Sequence, residues 1–114
     1  MPHIVCHYSA TSDMPLMHHV MQAIHKAAAS TGIVKADDLK IRALPFTDYL
    51  VAGEQRSFFH VSFYLLAGRT PEQKEHLSIE LRKALAVMLT AVHSISIDIR
   101  DMDPQAYKKR LLDI

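Results

Sequence analysis

The strongest strand pattern of the chain, SFFHVSFYLL (57–66), and the cleanly alternating SISIDIR (94–100) bracket a helical pattern that opens on TPEQ (70–73). A strand, a helix of about five turns and a second strand cannot close as a hairpin. That order predicts a parallel pair joined by a right-handed crossover. The helix start is written in its chemistry. Thr70 can cap, Pro71 suits the first helical position, and the Gln73 side chain can reach back to the cap. Leu77, Leu81, Ala84, Leu85, Met88 and Val92 then recur on one face. Ile95, Ile97 and Ile99 share one face of the strand that follows.

The first half of the chain has the same order. PHIVCHY (2–8) is a β-branched, strand-like run. Leu16, Met17, Val20, Met21, Ile24, Ala27 and Ala28 fall at helical spacing. Ser12 or Asp13 is placed to cap that helix, Pro15 fits its first turn, and Gly32 can end it in the left-handed conformation. LKIRAL (39–44) alternates, with Lys40, Arg42 and Leu44 on one face and Leu39, Ile41 and Ala43 on the other. Pro45 lacks the N–H a central strand needs, so this strand lies at an edge or bends there. AGEQRS (52–57) reads as a turn, and DPQAYKKRLLDI (103–114) as a short helix or an arm.

Two units, about 2–51 and 57–100, therefore form a structural pseudo-repeat with little residue identity. The predicted fold is α/β (α+β): a β-α-β-β-α-β chain, one domain over 1–114, with a four-stranded sheet and both helices on one face. The opposite face has no cover within the chain. It carries apolar residues and is expected to meet another subunit.

Composition narrows the function. Of the 114 residues 49% are hydrophobic, enough for a core and too many for a disordered chain. The net charge of +1 with neutral histidines argues against an electrostatic nucleic-acid binder. The single cysteine, Cys6, excludes an internal disulfide and a multi-cysteine zinc site. No secretory pattern and no membrane-length apolar run is present, so a soluble, cytoplasmic protein is expected. Among the eight histidines, His18 and His25 share a helix face but lie two turns apart, about 10 Å, too far for one ion. They read as a partly solvated helix face. Cys6 and His7 point to opposite sides of a strand and cannot pair as nucleophile and base, so Cys6 reads as a small core residue. LLAGRT lacks the pattern of a phosphate-binding loop, and FHVSF lacks the basic and glycine residues of an RNA-reading strand.

Three residues remain that could carry chemistry. Arg42 interrupts a mostly apolar strand. Arg69, in AGRTPEQ, sits between a strand end and a helix start. Each can be a surface arginine with a buried stem. Each can also offer a bidentate fork to a carboxylate, and a helix N-terminus favours an anion. Pro2 opens the first strand. Proline is tolerated there, but with Met1 removed it would also be a free secondary amine, a base built from the chain terminus.

MPHIV at the start, Thr31-Gly32-Ile33 followed by Ile41-Arg42, and AGRT opening the second helix occur in the β-α-β-β-α-β order. This ordered set, with the terminal ISIDIRDMDP, resembles the tautomerase superfamily through nearly the whole chain. It is most similar to the 5-carboxymethyl-2-hydroxymuconate isomerases. The resemblance implies that Pro2 is the catalytic base and that Arg42 and Arg69 bind substrate. It implies a homotrimer that needs no cofactor or metal, with active sites at subunit boundaries. The reaction implied is keto–enol isomerisation of a small unsaturated 2-hydroxy or 2-oxo acid, a mono- or dicarboxylate of the kind formed in aromatic degradation. No nucleic-acid or membrane partner is implied. An α-amine titrates near pH 8 in model peptides, to within about a unit. An apolar site and nearby arginines lower it towards neutrality. Two rival readings predict different behaviour. A hydratase or hydrolytic dehalogenase of the same superfamily would use the amine to activate water, and a ferredoxin-like binding module would show no turnover.

Overall fold

The computed structural model describes residues 2–112; Met1, whose removal the expected amine of Pro2 requires, and Asp113 and Ile114, the end of the expected arm, lie outside the described residues. The elements run β1 (His3–Ser9), α1 (Met17–Ser30), a short 3-10 turn (Ala36–Asp38), β2 (Lys40–Phe46), β3 (Phe58–Leu66), α2 (Pro71–Met88) and β4 (Ser94–Met102). The four strands form one sheet in the order β2-β1-β3-β4. Each helix joins a parallel pair, β1 with β2 and β3 with β4, and the two halves meet where β1 and β3 run antiparallel. This is the β-α-β-β-α-β fold the sequence predicts. β2 passes through Pro45 and lies at the sheet edge, where the missing N–H interrupts no central ladder.

Register explains the core. Ile4 and Cys6 on β1 stand opposite Phe63 and Val61 on β3, with Ile41 and Ala43 beyond them on β2 and Ile99 and Ile97 on β4. Against this face α1 buries Val20, Ile24 and Ala28, and α2 buries Leu77, Leu81 and Leu85, each set spaced by four. A fully buried aliphatic side chain contributes about 1.5–3 kcal/mol. Two such side chains on α1, with Ala28 beside them, and three on α2 outweigh any cap, so the apolar stripes decide where the helices lie.

The two starts differ. Thr70 accepts from the Gln73 backbone N–H at 3.1 Å, and the Gln73 side chain accepts from the Thr70 N–H at 2.9 Å, completing the predicted box. On α1 the predicted cap is absent. The helix begins at Met17 after Leu16, with no side-chain cap, while Ser12 and Asp13 lie in a preceding turn and Pro15 stands outside the first turn. The physical reason is Pro15 itself, which biases Met14 away from helical angles. Leu16 is still extended, at ψ 120. Gly32 follows the α1 C-cap at φ +74, in the left-handed region assigned to it. The 51–54 turn reverses the chain with Ala52 at φ 54 and Gly53 at φ 79.

The uncovered sheet face carries polar rows as well as the expected apolar residues. Successive cross-strand rows read Lys40-His3-Tyr64-Arg100, Arg42-Val5-Ser62-Asp98 and Leu44-His7-His60-Ser96. Apolar residues are interspersed, with Val5 and Leu44 within these rows and Leu66 opposite Met102 at the near end, and an aromatic group forms at the far end, where Phe58 packs against Phe46 and Tyr49 with ring centroids 6.2 and 5.5 Å apart. Strand alternation sends Ile41, Ile97 and their neighbours to the helix side and leaves the polar partners outside. After β4 a turn at 104–106 leads into an arm without helix, up to the last described residue.

Candidate active site

β1 and β2 start where β3 and β4 end, so one end of the sheet collects all three candidate residues. Pro2 precedes β1 with its side chain fully buried. Its carbonyl accepts from the Lys40 backbone N–H at 3.1 Å, which carries the ladder to the last residue before the strand. A proline is suited here because nothing in the sheet calls on an N–H from it.

Arg42 lies opposite Val5 on β2 and is exposed on the open face. Its Nη1 donates to Nδ1 of His3 at 3.2 Å. The other ring nitrogen of His3, Nε2, meets the Tyr107 hydroxyl at 2.9 Å. Burial, then Arg42, then Lys40 lower the pKa of His3. With two cations beside it, the neutral ring is the form the site selects.

Arg69 is half-buried beyond the end of β3, where Gly68 takes φ +136. Its Nη1 donates to the Leu66 carbonyl and its Nη2 to the Ile33 carbonyl, both at 3.3 Å. These two bonds tie the end of β3 to the loop after α1. A guanidinium carries five N–H donors, so Arg69 can keep both and still present others to an anion. The next residue, Thr70, caps α2, whose N-terminus adds its partial positive charge.

The structure thus brings Pro2, Arg42 and Arg69 to one sheet end without joining them. Arg42 lies on the open face, Arg69 lies towards the helix side, and among the described residues no hydrogen bond links the two. The histidines of α1 take no part in these contacts: His18 and His19 are exposed in the first turn of the helix, and His25 Nε2 bonds the Ala36 carbonyl at 3.0 Å. Cys6 is buried in the core, where burial pushes its thiol up to about 12. His3 and Tyr107 went unnoticed in the sequence. His3 is 39 residues from Arg42 and 104 from Tyr107, and no local pattern signals either contact.

A profile of the family 5-carboxymethyl-2-hydroxymuconate isomerase matches residues 2–111. The chain belongs to this family. The match makes it an isomerase of the tautomerase fold and spans Pro2, Arg42, Arg69 and Tyr107. Solved structures agree on the fold. A 5-carboxymethyl-2-hydroxymuconate delta-isomerase is 18% identical, with a TM-score of 0.78 over 97% of this chain and 88% of the other. A 5-carboxymethyl-2-hydroxymuconate isomerase from Deinococcus radiodurans R1 is also 18% identical, with a TM-score of 0.72 over 96% and 88%. A fused 4-OT protein solved as a symmetric trimer is 20% identical, with a TM-score of 0.80 over 90% and 88%. No curated protein sequence matches the chain. No helix among the described residues is long and apolar enough to cross a membrane.

Proposed function

We propose that this isomerase interconverts the enol and keto forms of a small unsaturated 2-hydroxy or 2-oxo acid of the muconate type. Pro2, freed by removal of Met1, is the general base. The amine takes a proton from one end of the conjugated system and returns it at another, so substrate and product contain the same atoms. Arg42 and Arg69 hold the carboxylates and stabilise the dienolate that develops. The observation that supports this reading most is the sheet end itself, which collects a buried proline and two arginines, Arg69 among them beside the start of α2. Arg42 and Arg69 face different sides of one chain, which favours a site completed between chains, and the trimeric 4-OT relative favours a homotrimer.

The test is an ultraviolet assay of ketonisation with 2-hydroxymuconate-type dienols. Arg42→Ala and Arg69→Ala should each lower kcat/KM by about 10- to 150-fold, the equivalent of the roughly 1.5–3 kcal/mol of a hydrogen bond to a charged group. Unchanged efficiency in both variants would return them to the role of surface arginines.

A further inference from the structure

We infer that His3 is a positioning residue for Arg42, and that Tyr107 of the arm after β4 locks the His3 ring in the tautomer this requires. The inference rests on the substrate-binding role proposed for Arg42. Its geometry stands without it.

A guanidinium has donors only. The 3.2 Å contact from Arg42 Nη1 therefore requires a bare Nδ1 on His3. In the neutral ring the proton then sits on Nε2, which donates to the Tyr107 oxygen at 2.9 Å. The rings also meet edge to face, with centroids 5.8 Å apart and planes at 71°. Tyr107 is itself held, because its backbone N–H donates to the Asp103 carbonyl at 3.0 Å in the turn that follows β4. β3 lies between β4 and β1, so the arm must cross β3 to deliver Tyr107 to His3. Tyr107 is half-buried although its neighbours in the arm are exposed. The arm thus works as a strap anchored on the ring that steers Arg42.

The charges around His3 agree with this role. Lys40 and Arg42 face it from β2, Tyr64 stands opposite on β3 with Arg100 beyond on β4, and Tyr107 covers it from the arm. None of these is a carboxylate that would favour the imidazolium. Once protonated, the ring would lose its acceptor and repel Arg42. An exposed arginine held by a neutral acceptor gives up less rotamer freedom when a carboxylate arrives. The effect belongs in substrate binding more than in the chemical step.

The experiment combines two-bond nitrogen–proton NMR of the imidazoles with kinetics on 2-hydroxymuconate, using the full chain in its native assembly. Wild-type His3 should show a bare Nδ1 and a protonated Nε2, and Tyr107→Phe should give mixed tautomers. His3→Phe should raise KM about fivefold with kcat within twofold. His3→Asn, whose amide oxygen can stand where Nδ1 stands, should restore most of the loss. In an Arg42→Ala background His3→Phe should add nothing. Below the pKa of His3, KM should rise in the wild type and stay flat in His3→Asn. A proton on Nδ1 in the wild type, or an unchanged KM in an active His3→Phe enzyme, would overturn the inference. A wild-type enzyme without turnover would remove the substrate reading alone, since the tautomer and its dependence on Tyr107 would still decide whether His3 holds Arg42.

Discussion

Cys6 reports on how firmly β1 holds Pro2 in place. It lies four residues after Pro2, fully buried between Ala43 and Val61. Burial raises its thiol from 9.0 to about 12. Only the thiolate attacks an alkylating reagent. At pH 8 that shift lowers the thiolate fraction about 1,000-fold, from roughly one in ten to one in ten thousand. The other route is through opening of the chain. A global stability of at least about 5 kcal/mol leaves fewer than about one molecule in a thousand unfolded. Both routes predict that native Cys6 reacts with iodoacetamide about 1,000-fold more slowly than in urea, as followed by mass at pH 8. The same shift has a signature in stability. Below about pH 9 the thiol is protonated in both states. Between about 9 and 12 only the unfolded chain ionises, so stability falls as pH rises, by about 1.4 kcal/mol per unit. The urea midpoint should therefore fall more between pH 8 and pH 10.5 than it does in Cys6→Ala. A native alkylation rate within tenfold of the unfolded rate would refute the reasoning. β1 would then open locally, and it could not hold an amine in register with a substrate.

Thr70→Ala removes the acceptor for the Gln73 N–H and should cost about 0.5–2 kcal/mol in urea unfolding at fixed protomer concentration, while Thr70→Ser stays close to wild type; equal losses in both would show that the cap oxygen is not what matters. Light scattering at micromolar concentration should give about three chain masses of 12.9 kDa, and a single chain mass would remove the shared site.

Features that depend on local spacing were legible in the sequence. TPEQ announced α2 because cap, proline and glutamine act within four residues, and the strands followed from alternation. The start of α1 misled because Ser12 and Asp13 are good caps in isolation, whereas they close a separate turn and Pro15 biases Met14 away from helical angles, so the helix begins only after Leu16. The polar rows of the open face were illegible for a different reason. The character of that face depends on which residues share a cross-strand row, and the row Lys40-His3-Tyr64-Arg100 draws on four separate strands. Pro2, Arg42 and Arg69 stood out from their local settings, and the resemblance supplied their roles. Their convergence at one sheet end follows from the strand order, and the His3 bridge to Tyr107 from an arm whose path no pattern encodes.

The central claim is that the amine of Pro2 does the chemistry, and one measurement tests it directly. Two preparations of the same protein are compared, one whose intact mass shows Met1 removed and one whose mass shows it retained, both verified as folded. Their specific activities are then measured on the same dienol. A retained methionine turns the proline nitrogen into an amide, which has no basic lone pair, while leaving every core side chain in place. The account predicts activity only in the chain that begins at Pro2, rising in proportion to the processed fraction in mixtures. Full activity in the chain that keeps Met1 would contradict it, and Pro2 would then be no more than a proline suited to the start of a strand.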